Sequence, residues 1–420
     1  MSLIQLAIKS LLSRRLVSIL LILSIGLSTL LLIGIDKIKQ STRQSFTHSV
    51  SGTDLVVGPR MGDIQLLLYS VFRIGNPIAN MSWESVEKIK NHSAVSWVIP
   101  ISLGDSHRGY PVLGTTKDYF KYFQYGKQRP LELKTGTFFS EPFDAVIGSV
   151  VATEKQYQIG DEIHLSHGTS STKHAVHEHK HFKIVGILNK TRTPVDNTVH
   201  ISLEGMEALH IDWKNGRPPK KHEVMHNHDV LEHDLHSDEV TACFVGLKTK
   251  MAIFSFQREL TTWSEDPIFG IIPGITLLKI WKMVGMVDQV LKIITILVLV
   301  VALIGLLLSL FISLNHRKRE LIIIRVLGGH PIHLWLLMIL EGFILSILGV
   351  LVGSASLAII QTWFVPFIEN KLGLVLTVNS LAISDFRVMG LIIIASVFIS
   401  SIPAGIAYKK TLSQGLGATT

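Results

Sequence analysis

The chain has 420 residues, 47% of them hydrophobic and 17% charged, which is more apolar and less charged than the roughly 25% charge of soluble domains. Its 40 Lys and Arg outnumber 32 Asp and Glu for a formal charge of +8, yet the basic residues gather at the ends of apolar runs, which fits membrane topology and not nucleic acid. The single cysteine, Cys243, excludes an internal disulfide framework and any CxxC metal or redox motif.

Residues 1–15 read as an amphipathic cytoplasmic helix leading into the first apolar run, Leu16 to Ile35 (16–35). A helix needs about 20 apolar residues, at about 1.5 Å each, to cross the hydrocarbon core. Lys9, Arg14 and Arg15 precede this run as in a signal peptide, but it is too long and lacks a small-residue cleavage site, so a retained span is expected.

Residues 36–289 alternate strand-like and helix-like pieces and predict one α+β domain outside the cytoplasm. Expected strands are Asp54 to Val57, Val95 to Ile101, Tyr110 to Gly114, Ala145 to Gly148, Glu162 to Leu165, Phe182 to Leu188, Thr198 to Ile201 and Thr241 to Leu247. Ser82 to Lys90, Val150 to Tyr157 and Leu203 to Leu209 read as helices. Met251 to Leu260 and Leu277 to Gln289 are amphipathic and are expected to lead into the second span as one continuous stalk.

Three further spans follow: 290–314, charged only at Lys292; 334–360, charged only at Glu341; and 388–407, uncharged. Arg317, Lys318, Arg319 and Arg325 lie in the connection 315–333, and Lys409 and Lys410 in the tail 408–420. With the basic N-terminus, these segments belong on the cytoplasmic side. The loop 361–387, with balanced charge, and the large domain belong on the other.

Gly349 and Gly353 form a GxxxG, preceded by Gly342 and Ser346, and Ser396, Ser400 and Ala404 repeat small-residue spacing in the last span. Such spacing lets helix backbones approach closely. Glu341 is a functional candidate as an intramembrane carboxylate, but within two turns of the cytoplasmic boundary it reads better as an ordinary residue with no such role. No string of ionisable residues crosses the spans, which argues against an ion or proton pathway.

The stretch NHRKRELIIIRVLGGHPIHLWLLMILEG, Asn315 to Gly342, resembles the segment after the second span in permeases of the MacB, FtsX and LolC superfamily, where a basic "RRxEIGxLRALG" precedes an "LLEG" helix. LAIKSLLSRRLVSILLILSIGLS at the start and PAGIAYKKTLSQGLG at the end are similar to that family's termini, though only Pro403, Ala404, Ala407 and the basic pair survive of the closing pattern. LKTGTFFSEPFDAVIGSVVATEKQYQIGDEIHL and HFKIVGILNKTRTPVDNTVHISLEGMEAL resemble the MacB-type periplasmic core domain. DLVVGPRMGDIQLLLYSVFRIGNPIANMSW and IPISLGDSHRGYPVLGTTKDYF look like a branch linked to zinc homeostasis.

The resemblance implies a homodimer of four-span subunits in the bacterial inner membrane, with both termini cytoplasmic, working by mechanotransmission with a dimer of cytoplasmic ABC ATPase subunits. By that resemblance Arg317, Lys318, Arg319, Glu320, Arg325, Gly328 and Gly329 couple to the ATPase. From the residues alone, the segment suits a short helix along the inner face, with Gly328 and Gly329 turning the chain and Pro331 opening the next helix. No Walker A pattern GxxxxGK[ST] is present, so hydrolysis is expected in another polypeptide.

Thirteen of the 19 histidines lie between His164 and His236. Candidate metal ligands are His164, His167, His174, His177, His179 and His181 in one loop (164–181), and His222, His226, His228, His233 and His236 in a second (222–236). Imidazole and carboxylate suit zinc or another transition metal. His177, His179 and His181 share a face if they lie on a strand, and His222 and His226 are one turn apart on a helix. Solvated loops that gather metal loosely are expected, and a pH sensor is the other reading of clustered imidazoles.

GxSxG does not occur, and although His177 to His181 and His222 to His226 have the HExxH spacing, HEHKH does not read as the helix such a site needs, so the chain is not expected to be an enzyme. The leading function is an ATPase-driven permease in zinc or transition-metal handling, engaging a periplasmic metal-binding protein or lipoprotein. Export or membrane extraction of a lipoprotein, peptide or toxic compound is the second, and a metal-responsive membrane sensor the third.

Overall fold

The computed structural model describes residues 3–49, 51–167, 176–212, 225, 227–263, 266–316, 331–372 and 381–413. Their contacts divide into two compact units, one within 1–41, 284–367 and 377–420, the other within 42–283 and 368–376.

In chain order the helices are α1 (Leu3–Ser13), α2 (Arg15–His48), α3 (Asp63–Phe72), α4 (Trp83–Lys90), α5 (Asp118–Tyr122), α6 (Ser149–Lys155), α7 (Leu203–His210), α8 (Asn227–Val230), α9 (Ile253–Leu260), α10 (Pro273–His316), α11 (Pro331–Leu372) and α12 (Ile383–Ser413). Four contain stretches long and apolar enough to cross a membrane: Arg15–Ser41, Pro273–Ser313, Trp335–Phe364 and Ile383–Ile406. Their shared core in the first unit is built from Leu21, Ile25 and Ile33 of α2, Leu306 and Leu310 of α10, Leu345 and Val350 of α11, and Ile392 of α12. Leu20, Leu23, Leu297, Val301, Leu351 and Leu391 instead point outward and are exposed. Apolar residues all round a helix suit lipid on one side and protein on the other.

The second unit is an α+β domain. Its strands are β1 (Leu55–Pro59), β2 (Met81–Ser82), β3 (Val95–His107), β4 (Tyr110–Thr115), β5 (Gln124–Tyr125), β6 (Arg129–Pro130), β7 (Leu133–Gly136), β8 (Asp144–Ile147), β9 (Glu162–His167), β10 (Val176–Leu188), β11 (Val199–Ser202), β12 (Glu239–Val240), β13 (Ala242–Leu247) and β14 (Ile268–Ile271). Ten form one mixed sheet in the order β14-β1-β13-β3-β4-β11-β8-β10-β7, with β9 pairing both β10 and β3. Alternation along the strands sorts the core. Val56 and Phe244 face a cluster with α3 and α5, while their neighbours Leu55, Val57, Cys243 and Val245 face one with α4 and α9. Farther along the sheet, Ala145, Ile147, Ile184 and Ile201 pack with Val151 of α6 and Met206 of α7. Two helices start on serine caps: Ser82 accepts from Ser85 N, and Ser202 from Gly205 N.

Two expectations need correction. The amphipathic stretches do not make one stalk: α9 is separated from α10 by β14, because its apolar side seats Phe256 and Leu260 on the sheet. Only the second stretch, Leu277 to Gln289, continues helically within α10. Nor is the segment before Phe182 a loop, since β10 starts at Val176 and carries His177, His179 and His181 as strand residues, of which His181 pairs with His164 of β9 across a register shift that follows Val176.

Candidate functional site

The membrane unit concentrates its chemistry at a few ion pairs. Arg14 sits at the break between α1 and α2, where Ser18 N still donates to its carbonyl at 3.0 Å. Its guanidinium donates Nη1 to Ser309 O of α10 (3.1 Å), and Nη2 to Ser10 Oγ and to Glu341 Oε2 of α11, both at 3.2 Å. Glu341 is only 1% exposed. A buried carboxylate persists only when paired and hydrogen-bonded, so this one residue ties α1, α2, α10 and α11 to a common register.

Lys37 of α2 lies 23 residues on, about 35 Å along a helix, close to the hydrocarbon thickness of about 30 Å. It pairs with Asp385 of α12 at 2.9 Å, and Lys39 with Asp288 of α10 at 2.6 Å. Lys292 reaches the same Asp288 at 3.5 Å. Asp385 also accepts from Ala382 N at 2.7 Å, closing the first turn of α12. Charge therefore sits at two levels of α2, with no Asp, Glu, Lys or Arg from Leu16 to Ile35 between them.

Between these levels the helices meet through small residues. A Cβ on Gly353 would lie 2.4 Å from Gly26 O, one on Gly349 2.7 Å from Ile25 Cβ, and one on Gly342 2.7 Å from Ser400 Cβ. Ser346, Ser396 and Ser400 are fully buried, and Ser396 and Ser400 each donate to the carbonyl four residues back. The three glycines thus act where α11 meets α2 and α12.

Arg317, Lys318, Arg319, Glu320, Arg325, Gly328 and Gly329 lie outside the described residues, as do His174, His222 and His226. Of His167 and His177 only the strand backbone is described. His164 and His181 are paired across β9 and β10, with rings 4.5 Å apart, and His181 Nδ1 lies 3.9 Å from Glu162 Oε2. His179 and His228 are exposed. His233 Nδ1 bonds back to Asp229 O of α8 (3.1 Å), and His236 packs its ring edgewise on Trp83 at 5.1 Å. Among the described residues no three His, Cys, Asp or Glu side chains come together to hold a metal.

The two tracts nevertheless meet. Asn227 clamps the backbone of His181, accepting from its N at 3.2 Å and donating to its O at 2.9 Å. Beside it the buried Lys180 Nζ bonds Asp212 Oδ1 (2.6 Å) and Leu209 O (3.0 Å). Burial depresses the Lys180 ammonium below its usual range, against the pull of Asp212.

Isolated histidines carry distinct states. His107 is buried between His164 O (2.6 Å) and Tyr157 Oη (2.9 Å), and burial holds it below its ordinary value. His210 loses to burial but gains more from the Asp105 carboxylate 3.3 Å away, and is raised.

Residues 18–234, just over half of the chain, match the MacB-like periplasmic core domain, and residues 292–415 match the FtsX-like permease C-terminal domain. The chain belongs to the MacB/FtsX family of ABC transporter permeases. Solved structures similar to it include the periplasmic region of MacB from Actinobacillus actinomycetemcomitans, at 11% identity over 56% of this chain and 97% of that one, with a TM-score of 0.34. The extracellular domain of the noncanonic ABC-type transporter YknZ from Gram-positive bacteria is similar at 10% identity over 52% and 98%, with a TM-score of 0.29. No curated protein sequence gives a significant match.

Permeases of the MacB/FtsX family generally dimerise and work with a cytoplasmic ABC ATPase, which supplies the hydrolysis. The FtsX-type match runs through residues 315–333, the basic connection expected to meet that ATPase. Sequence reasoning singled out Glu341 but found neither its partner Arg14 nor the pairs Lys37–Asp385 and Lys39–Asp288. Their one sequence signal was unlike charges flanking different spans, which leaves the pairing open.

Proposed function

We propose that this permease subunit is a mechanical transmitter in the inner membrane: ATPase-driven movement at the basic connection 315–333 is passed through the helices to the extracytoplasmic domain. The observation that carries this reading is Arg14, joined at once to Ser10, Ser309 and Glu341. A helix set pinned at such a point moves as a body, and the uncharged stretch above it offers no hydrophilic path for a solute.

The test uses a spin label at Glu132→Cys and the inter-protomer distance in the complex with ADP or with ATP and vanadate. Glu341→Gln, which keeps volume and removes charge, is expected to keep insertion and ATPase co-purification while shrinking the nucleotide-dependent distance change at least twofold. An undiminished change in both Glu341→Gln and Arg14→Gln would sink the proposal.

Metal handling is a second reading, supported by the contact of the two histidine tracts at His181 and Asn227 and by the facing rings of His164 and His181. In calorimetric titration of zinc into the full-length protein, His164→Ala with His181→Ala is expected to weaken binding at least tenfold. Binding that ignores both substitutions removes the reading and leaves lipoprotein, peptide or toxic-compound export in front.

A further inference from the structure

The strands β4 and β11 run parallel side by side, from Val112 opposite Val199 to Thr115 opposite Ser202. A helix begins just beyond each: α5 at Asp118 and α7 at Leu203. Parallel neighbours whose chains leave toward helices open a crevice at their carboxyl ends, the usual place for ligands on such sheets. Two grooves occupy that place, of about 460 Å³ and about 320 Å³, sharing Thr116 and Glu204 as a common wall. Each falls within the range of about 300–1,000 Å³ typical of ligand sites.

The walls are built, not accidental. The loop of the larger groove is wound around Asp144, whose Oδ2 accepts from Ser140 N and Glu141 N, each at 2.9 Å. The smaller one is held where Trp83 N donates to Asp238 O at 2.8 Å and where Trp83 and His236 meet edge to face at 5.1 Å. Between the lobes the Thr116 hydroxyl is buried and has no hydrogen-bond partner.

The lining is net acidic. Asp118, Glu141, Glu204 and Asp234 face the lobes against Lys117 and the imidazole of His236. Apolar floor lies next to the carboxylates in both: Phe139 and Pro142 in the larger, Trp83, Leu203 and Leu235 in the smaller. Carboxylate above an apolar floor suits a side chain that buries an aliphatic stem and keeps a cation at its tip. Two such lobes in series suit two of these side chains on one strand of peptide.

We propose that this double groove binds a short basic peptide segment of an extracytoplasmic partner protein, one Lys or Arg in each lobe. The site is independent of how the membrane unit moves.

The experiment is fluorescence anisotropy of the full-length protein in nanodiscs with a labelled octapeptide alternating Lys and Leu. An octapeptide alternating Glu and Leu is the control probe, and unlabelled spermine the competitor. The Lys peptide is expected to bind and the Glu peptide not. Affinity should fall as salt rises through about 0.1 M, where the Debye length is about 10 Å. Glu204→Gln and Glu141→Gln, both isosteric, are each expected to weaken binding about two- to fivefold, the range for exposed ion pairs, and the control Glu132→Gln on an exposed edge to leave it unchanged. Absence of binding, equal binding of the Glu peptide, or indifference to both groove substitutions in folded protein overturns the proposal. Spermine competing as well as the unlabelled Lys peptide overturns it in favour of free polycations.

Discussion

The clearest single-residue consequences concern buried titratable groups. His200 is fully buried on β11, its Nδ1 bonded to Val146 O at 3.1 Å, and burial with the nearby Arg73 guanidinium pushes its pKa down to about 3. Between the ordinary 6.5 and about 3, the unfolded chain takes a proton that the folded one refuses. Stability from this residue is therefore present above pH 6.5 and lost as pH falls, by up to about 1.4 kcal/mol per pH unit. His210 has the opposite sign: its folded pKa is raised, so its contribution is full below 6.5 and is lost as pH rises through the folded value. Thermal unfolding between pH 7 and 4.5 should show His200→Phe with a shallower loss of midpoint than the parent. Parallel curves would mean that other groups carry the acid sensitivity.

At the scale of elements, hydrophobic alternation found eight of the fourteen strands and missed the rest, all short, β7 and β14 of the main sheet among them. All eight expected strands are present, with shifts at their ends; β3, for example, runs on from Ile101 to His107. The extension carries Asp105, Ser106 and His107, polar residues that a pattern search stops at, yet all three are buried. Their burial depends on partners far away in sequence, such as Tyr157 and His210. The same reason hid the start of β10: a run of His, Glu and Lys reads as loop until β9 is beside it. α3 was missed because its apolar residues, Leu66 to Phe72, are nearly continuous and show no helical period. The glycines of α11 were legible as a spacing, but their partners Gly26, Ile25 and Ser400 were not.

For the molecule as a whole, the order of parts and the orientation are separate questions. Four spans and one large domain follow from apolar length alone, and the positive-inside bias places the termini in the cytoplasm as an expectation. Cys243 is fully buried in the sheet, and burial raises its thiol pKa well above the ordinary value, so it should stay silent to reagents while the protein is folded. A single cysteine introduced at the exposed Glu132 is expected to react with a membrane-impermeant maleimide from outside intact spheroplasts, and one at Lys9 only after lysis. The reverse pattern would invert the topology.

Length, apolar runs, basic flanks and strand alternation are local or one-dimensional properties, so the sequence by itself determined the four spans, the α+β class of the domain between the first two, and the family. Which charges meet is a three-dimensional matter. Arg14 and Glu341 are 327 positions apart and Lys37 and Asp385 farther still, and many basic residues could have paired with either acid. The acidic double groove was likewise invisible, because Trp83, Thr116, Glu141, Glu204 and Asp234 are scattered along the chain. The parallel register of β4 and β11 brings Thr116 and Glu204 together just beyond the carboxyl ends of those strands, and the other three reach them from separate segments.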